Sequence, residues 1–179
     1  MKLSFTLQEK DYLLHQLYYF KTKESTKKDS RKAWFVAFLG IFLIVLLIYL
    51  LGDTATLYFS IALSIPLLIL FPFYHKYRLK KINHRTVKEV HKTKFNKNIE
   101  LFFDENHVLI SSPTSESKLS YKVLDKIVEI SNYYFIIFSS GMHLIIPKDQ
   151  VNTDNVDEKL KQLTIKGNAE FSRELDWKW

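Results

Sequence analysis

The alternation of apolar and polar positions changes period several times along the chain, and each change predicts a different element. Leu3, Phe5 and Leu7 alternate with polar neighbours, the period-two rhythm of a short half-buried strand over residues 2–7. Glu9-Lys10-Asp11 then opens a helix, with acids where the first turn favours them. Its apolar side carries Tyr12, Leu13, Leu17, Tyr18 and Phe20. That side suits packing on the C-terminal half and, equally, an interfacial helix lying against lipid head groups.

The rhythm then disappears. From Ala33 to Leu51 there are 19 residues without a charge, and a second uncharged run extends from Leu57 to Phe73. A helix rises about 1.5 Å per residue and a hydrocarbon core is about 30 Å thick, so each run nearly spans alone. Apolar residues lie all the way round both runs, whereas a soluble core helix keeps a polar face. Residues 33–73 are therefore read as a transmembrane helical hairpin with the short turn Gly52-Asp53-Thr54-Ala55-Thr56. Pro66 should kink the second helix, with Ser60 or Ser64 helping to satisfy the carbonyl freed near Ala62. Neither run contains Asp, Glu, Lys, Arg or His, which argues against a transport pathway through the hairpin alone.

Helical rhythm returns from His75 to about Phe95, where Leu79, Ile82, Thr86 and Val90 form a narrow apolar stripe on a basic helix. His84 and His91 are seven apart there, with no third ligand at metal spacing. Period two resumes over residues 98–147. Runs at 98–103, 107–111, 119–121, 123–130, 133–138 and 142–146 are grouped as five short strands of an antiparallel meander, or six if residues 2–7 join it. The turn Asp104-Glu105-Asn106 and the polar loop 112–117 punctuate it. Tyr133 to Phe138 is the most strand-like run, read as the central strand of the sheet. At an edge, Tyr133, Tyr134 and Phe135 would instead offer a partner an interaction strand. A final helix should begin at Asn152 or Asp154, turn Leu160 and Leu163 inward, and stop at Gly167. The expected segments are an N-terminal strand and helix (1–32), the hairpin (33–73), a basic juxtamembrane helix (74–97), a β domain (98–167) and a tail (168–179).

Charge gives the hairpin an orientation. Residues 21–32 hold six Lys or Arg against two acids, residues 74–97 hold nine against one, and residues 98–179 hold nine against thirteen. The turn between the spans has no Lys or Arg. By the positive-inside rule both termini are cytoplasmic. Lys27, Lys28, Arg31 and Lys32 before the hairpin, and Lys76, Arg78, Lys80, Lys81 and Arg85 after it, are the candidate contacts to the anionic inner leaflet. A basic excess confined to those flanks argues for lipid rather than nucleic acid. The chain has no cysteine, and it shows no Gly-rich phosphate loop, HExxH or nucleophile elbow. No enzyme activity, cofactor or metal is expected.

Tyr121, Ile127-Val128-Glu129, Tyr133-Tyr134-Phe135 and Ile145-Ile146-Pro147-Lys148 resemble the YcxB-like family of bacterial membrane proteins. Phe5-Thr6-Leu7, Asp11-Tyr12 and Leu17-Tyr18 resemble that family's opening. The resemblance implies a membrane α+β chain with two spans and a cytoplasmic antiparallel β domain. That domain would be pleckstrin-homology-like, a bent barrel of seven strands closed by a C-terminal helix. The superfold's lipid-binding members grip phosphates with a basic first hairpin turn. The turn here, Asp104-Glu105-Asn106-His107, would repel them, so phosphoinositide recognition is not expected. The expected role is a membrane-anchored, non-catalytic interaction domain at the cytoplasmic face of a bacterial inner membrane. It would bind a protein partner, a second copy or the membrane surface. The alternative is protection against a toxin or antimicrobial peptide acting at the membrane.

Overall fold

The computed structural model describes residues 1–113 and 115–179, with the side chains of Glu24, Ser25 and Lys27 outside the described residues. The chain forms two units, residues 1–16 with 87–179, and residues 17–86.

In the first unit the alternating runs become strands of two four-stranded sheets. β1 (Lys2–Thr6), β2 (Asn98–Phe103), β3 (His107–Ser112) and β4 (Ser115–Ser120) lie in that order, all antiparallel. A one-turn 3-10 helix, Tyr121–Val123, separates them from β5 (Leu124–Glu129), β6 (Tyr133–Phe138) and β7 (His143–Pro147). The second sheet runs β7-β6-β5-β8, where β8 (Glu170–Arg173) returns parallel to β5 after the last helix. Residues 2–6 do join the β unit, pairing Phe5 with Ile99 across the intervening helices. The free edge of β1 is covered by Gln150 at its Thr6 end. Its side-chain oxygen accepts from the Thr6 amide at 2.9 Å and its nitrogen donates to the Thr6 carbonyl at 3.0 Å.

Four expectations for this unit need correcting. The meander of five strands is six over the same residues, divided between two sheets. The polar loop 112–117 is largely strand β4, whose outward positions Glu116 and Lys118 and inward serines hid its period; Thr114 within that loop lies outside the described residues. The tail 168–179 contains β8, too short and polar for its sequence to announce a strand. Gly167 does not stop the last helix, α4 (Thr153–Gly167, numbered after three helices described below). Asn168, at φ 50°, takes the left-handed cap instead. A Cβ on Gly167 would stand 2.6 Å from the Tyr121 carbonyl oxygen, so this glycine serves a close approach. Asn152 caps the other end, accepting from the Asn155 amide. Val156, Leu160 and Leu163 bury the inner stripe of α4, and Ile127, Val128, Phe135 and Ile146 are fully buried in the second sheet.

The other helices are α1 (Glu9–Thr22), α2 (Glu24–Leu50) and α3 (Thr54–His91). Lys23, at ψ 123°, separates α1 from α2, so the polar run-in to the first apolar stretch is helical from Glu24 onward. The α2–α3 turn uses Gly52 at φ 77°, and Asp53 accepts hydrogen bonds from the Thr56 amide at 3.1 Å and the Thr56 hydroxyl at 2.5 Å. Both helices are long and apolar enough to cross a membrane, and the most apolar 18-residue window of each is 0% buried. α3 is assigned as one helix through Pro66 and Pro72. Ser64 donates to the Ser60 carbonyl and Ser60 to that of Leu57, so neither hydroxyl serves the Ala62 carbonyl. Past Tyr74 the expected stripe is rotated. Ile82 and Val90 are exposed, while Asn83 and Val87 are buried. The inward row Leu79-Asn83-Val87-His91 contains two polar residues, which disguised it. Asn83 resolves its burial by donating to the Leu79 carbonyl at 2.8 Å.

Candidate functional site

Within the β unit a cavity of about 360 Å³ lies between the inner face of the first sheet, β7, and the first turns of α1. Strand register explains its lining. Phe5 faces inward opposite Ile99, and Leu101 opposite Ile110, which in turn faces Ser117. Toward the β2–β3 turn the same inner face is filled by Phe103 and Val108. Toward the β3–β4 turn it changes to Ser112, Ser115 and Ser117, so the core gives way to a space with a polar rim.

α1 forms the facing wall, and Asp11 fixes where it starts. The Asp11 carboxylate accepts from the Gln8 amide at 2.6 Å, the return half of a capping box. Its other oxygen accepts from the Tyr133 hydroxyl at 2.6 Å. Asp11 is 2% exposed, so this buried charge is held by two donors. Burial first, and then the hydrogen bond to Asp11, push the Tyr133 phenol above its ordinary range. The next residue, Tyr12, stacks on His91 at 4.6 Å and tilts against Phe95 at 5.7 Å. Asn96, at φ 55°, turns the chain back and donates to the Leu7 carbonyl at 2.9 Å. That turn sets Lys94 and Lys97 at the cavity wall.

His15 and His143 meet across the cavity, Nε2 to Nδ1 at 3.0 Å with rings at 80°. One nitrogen must donate and the other accept, so the contact requires at least one neutral ring. Burial, followed by the neighbouring His143 and His91, pushes His15 down to about 3, and burial also lowers His143. At neutral pH the pair is uncharged, and Lys94 and Lys97 are the charged side chains on the wall.

A separate ionic cluster ties the second sheet together. Glu129 binds Lys148 at 2.8 Å and Arg173 at 2.6 Å, and Arg173 reaches Asp157, which also pairs with Lys161. It fixes β8 and α4 against β5.

Lys28, Arg31, Lys32, Lys76, Arg78, Lys80, Lys81 and Arg85 are all exposed on α2 and α3, and the Lys27 side chain lies outside the described residues. The interaction strand proposed at Tyr133, Tyr134 and Phe135 is not available. β6 is hydrogen-bonded to β5 on one side and β7 on the other, and these three residues are buried. Sequence reading missed His15 and His143 as a pair, because they are 128 residues apart. His143 does sit in an otherwise apolar strand, the one local sign that it had a partner.

Residues 103–163 match the family described as YcxB-like protein, from the end of β2 through most of α4. The resemblance read between Tyr121 and Lys148 lies inside that match. No curated protein and no solved structure matches the chain.

Proposed function

We propose that this chain, YcxB-like from 103 to 163, is a membrane-anchored, non-catalytic interaction protein. In this reading α2 and the first half of α3 cross the membrane, and the β unit is displayed at the cytoplasmic face. The observation that carries it is the pairing of β1 with β2 across residues 7–97. Both ends of the helical hairpin lead into neighbouring strands of one sheet. Such strands must lie on one side of a bilayer, which requires an even number of crossings. Basic residues at both ends of the hairpin and none in its turn support a cytoplasmic location for that side. Burial supports insertion. Leu50, Leu51, Tyr58 and Phe59 are each at least 70% exposed. Continuous apolar surface of this extent far exceeds the few hundred Å² that water-soluble monomers tolerate.

Seven antiparallel strands in a four-plus-three division, followed by α4, support a pleckstrin-homology-like fold with the hairpin inserted between its first and second strands. β8 is an addition to it. The basic residues flanking the hairpin contact the anionic leaflet, each adding on the order of 1 kcal/mol. With β6 interior, a partner strand would have to use an outer edge, and β4 is the exposed one on the first sheet. Photo-crosslinking residues placed at Glu116 and Lys118 of the full-length chain in cells test this reading. Adducts to a protein or to a second copy are expected. Adducts to lipid alone would overturn the interaction role of that edge.

A further inference from the structure

The cavity in the β unit has features of a binding site that neither the membrane reading nor the family match assigns. Its deep wall is apolar, with Phe5, Leu101, Leu144 and Ile145 each under 9% exposed. Among the described residues, its lining contains Lys94 and Lys97 and no aspartate or glutamate. Its volume, about 360 Å³, is in the range of small-ligand sites. At about 30 Å³ for each water-sized group, it holds roughly a dozen such groups. An apolar body that long needs a solvated or paired head, and the lysines and the serine hydroxyls stand on the lining where a head would meet them.

We propose that this cavity binds a single-chain anionic amphiphile, its head on Lys94 and Lys97 and its chain along Phe5, Leu101, Ile110 and Ile145. The sign follows from the lining. The imidazoles of His15 and His143 share a hydrogen bond and are neutral, so both lysines face the cavity uncompensated by any carboxylate on its wall. A cationic chain would meet like charge. A neutral chain would leave both lysines on the lining without a counter-charge. The cavity lies wholly within the β unit, so the proposal does not depend on insertion of the hairpin.

Full-length protein in nanodiscs is labelled with a dodecanoate probe carrying a photoreactive group on its chain, and the adducts are mapped by mass spectrometry. Adducts are expected at Leu101, Ile110 or Ile145, competed by dodecanoate and by dodecyl phosphate but not by dodecylamine or inorganic phosphate. Labelling there should fall about tenfold in the doubly substituted Lys94→Gln, Lys97→Gln chain, by the loss of two charge-assisted contacts. Ile110→Trp, which fills the space, should remove it. Protection of the β6 amides from exchange is the control for a folded β unit and should not change in either variant. Adducts confined to 33–73, or strand adducts indifferent to the lysines and competed equally by dodecylamine, would overturn the proposal.

Discussion

Replacing His15 by phenylalanine should flatten the acid side of the β unit's stability profile. An imidazole in the unfolded chain titrates near 6.5, whereas burial, with His143 and His91 beside it, pushes folded His15 down to about 3. Between those values the unfolded state binds more protons than the folded one. Stability is therefore complete above about pH 6.5 and declines as pH falls toward 3. At about 1.4 kcal/mol per unit, this one residue accounts for a loss of about 2 kcal/mol between pH 7 and pH 5. Phenylalanine keeps a ring edge-on to Phe135, now 5.0 Å from His15, while removing the titration. Asp157 does not confuse this window. Against the burial that would raise it, Lys161 and Arg173 hold it below the usual carboxylate range, so its own loss comes at lower pH. Amide exchange of β6 and β7 in the full-length protein, corrected for intrinsic rates, reads the opening free energy at each pH. The His15→Phe chain should lose about 2 kcal/mol less than wild type between pH 7 and pH 5. An identical loss in both proteins would refute the claim that His15 is folded in its neutral form.

Other substitutions probe the supports of the site. Tyr133→Phe removes one of the two donors on buried Asp11 and should cost about 2 kcal/mol of unfolding free energy by denaturant titration. Gly167→Ala places a methyl 2.6 Å from a backbone oxygen and should cost about 1–3 kcal/mol, seen as a lower melting temperature. Glu129→Gln strips Lys148 and Arg173 of their shared carboxylate and should cost about 3 kcal/mol, with faster exchange at β8 than at β7. Exchanging Lys80, Lys81 and Arg85 for glutamine should weaken binding of the isolated 74–97 peptide to anionic vesicles by about 3 kcal/mol, an effect that high salt should erase.

What was legible in the sequence was what has a local cause. The uncharged runs, the alternation in β2, the apolar runs of β3 and β6, and the acids opening α1 each reflect neighbours a few residues away. The inward row of α3 was misread because Asn83 and His91 are polar, and their burial depends on a backbone acceptor in one case and the Tyr12 ring in the other. β4 was taken for a loop because its inward positions are serines lining a space rather than filling a core. Gly167 looked like a helix stop because sequence shows a glycine's freedom of φ but not the carbonyl pressed against it. The cavity could not be read at all. Its walls come from residues 5–16, 91–112, 115–117 and 141–145, brought together by the β1–β2 pairing, the Asn96–Leu7 hydrogen bond and the His15–His143 contact.

That pairing also underlies the account's central claim, that the hairpin crosses the membrane twice and leaves the β unit in the cytoplasm. Because the chain has no cysteine, single substitutions report their own location. Ala55→Cys marks the hairpin turn and Ser140→Cys an exposed turn of the β unit. With a membrane-impermeant maleimide on intact spheroplasts, Ala55→Cys should label at once and Ser140→Cys only after permeabilisation. Labelling of Ser140→Cys in intact spheroplasts, or protection of Ala55→Cys, would contradict the account.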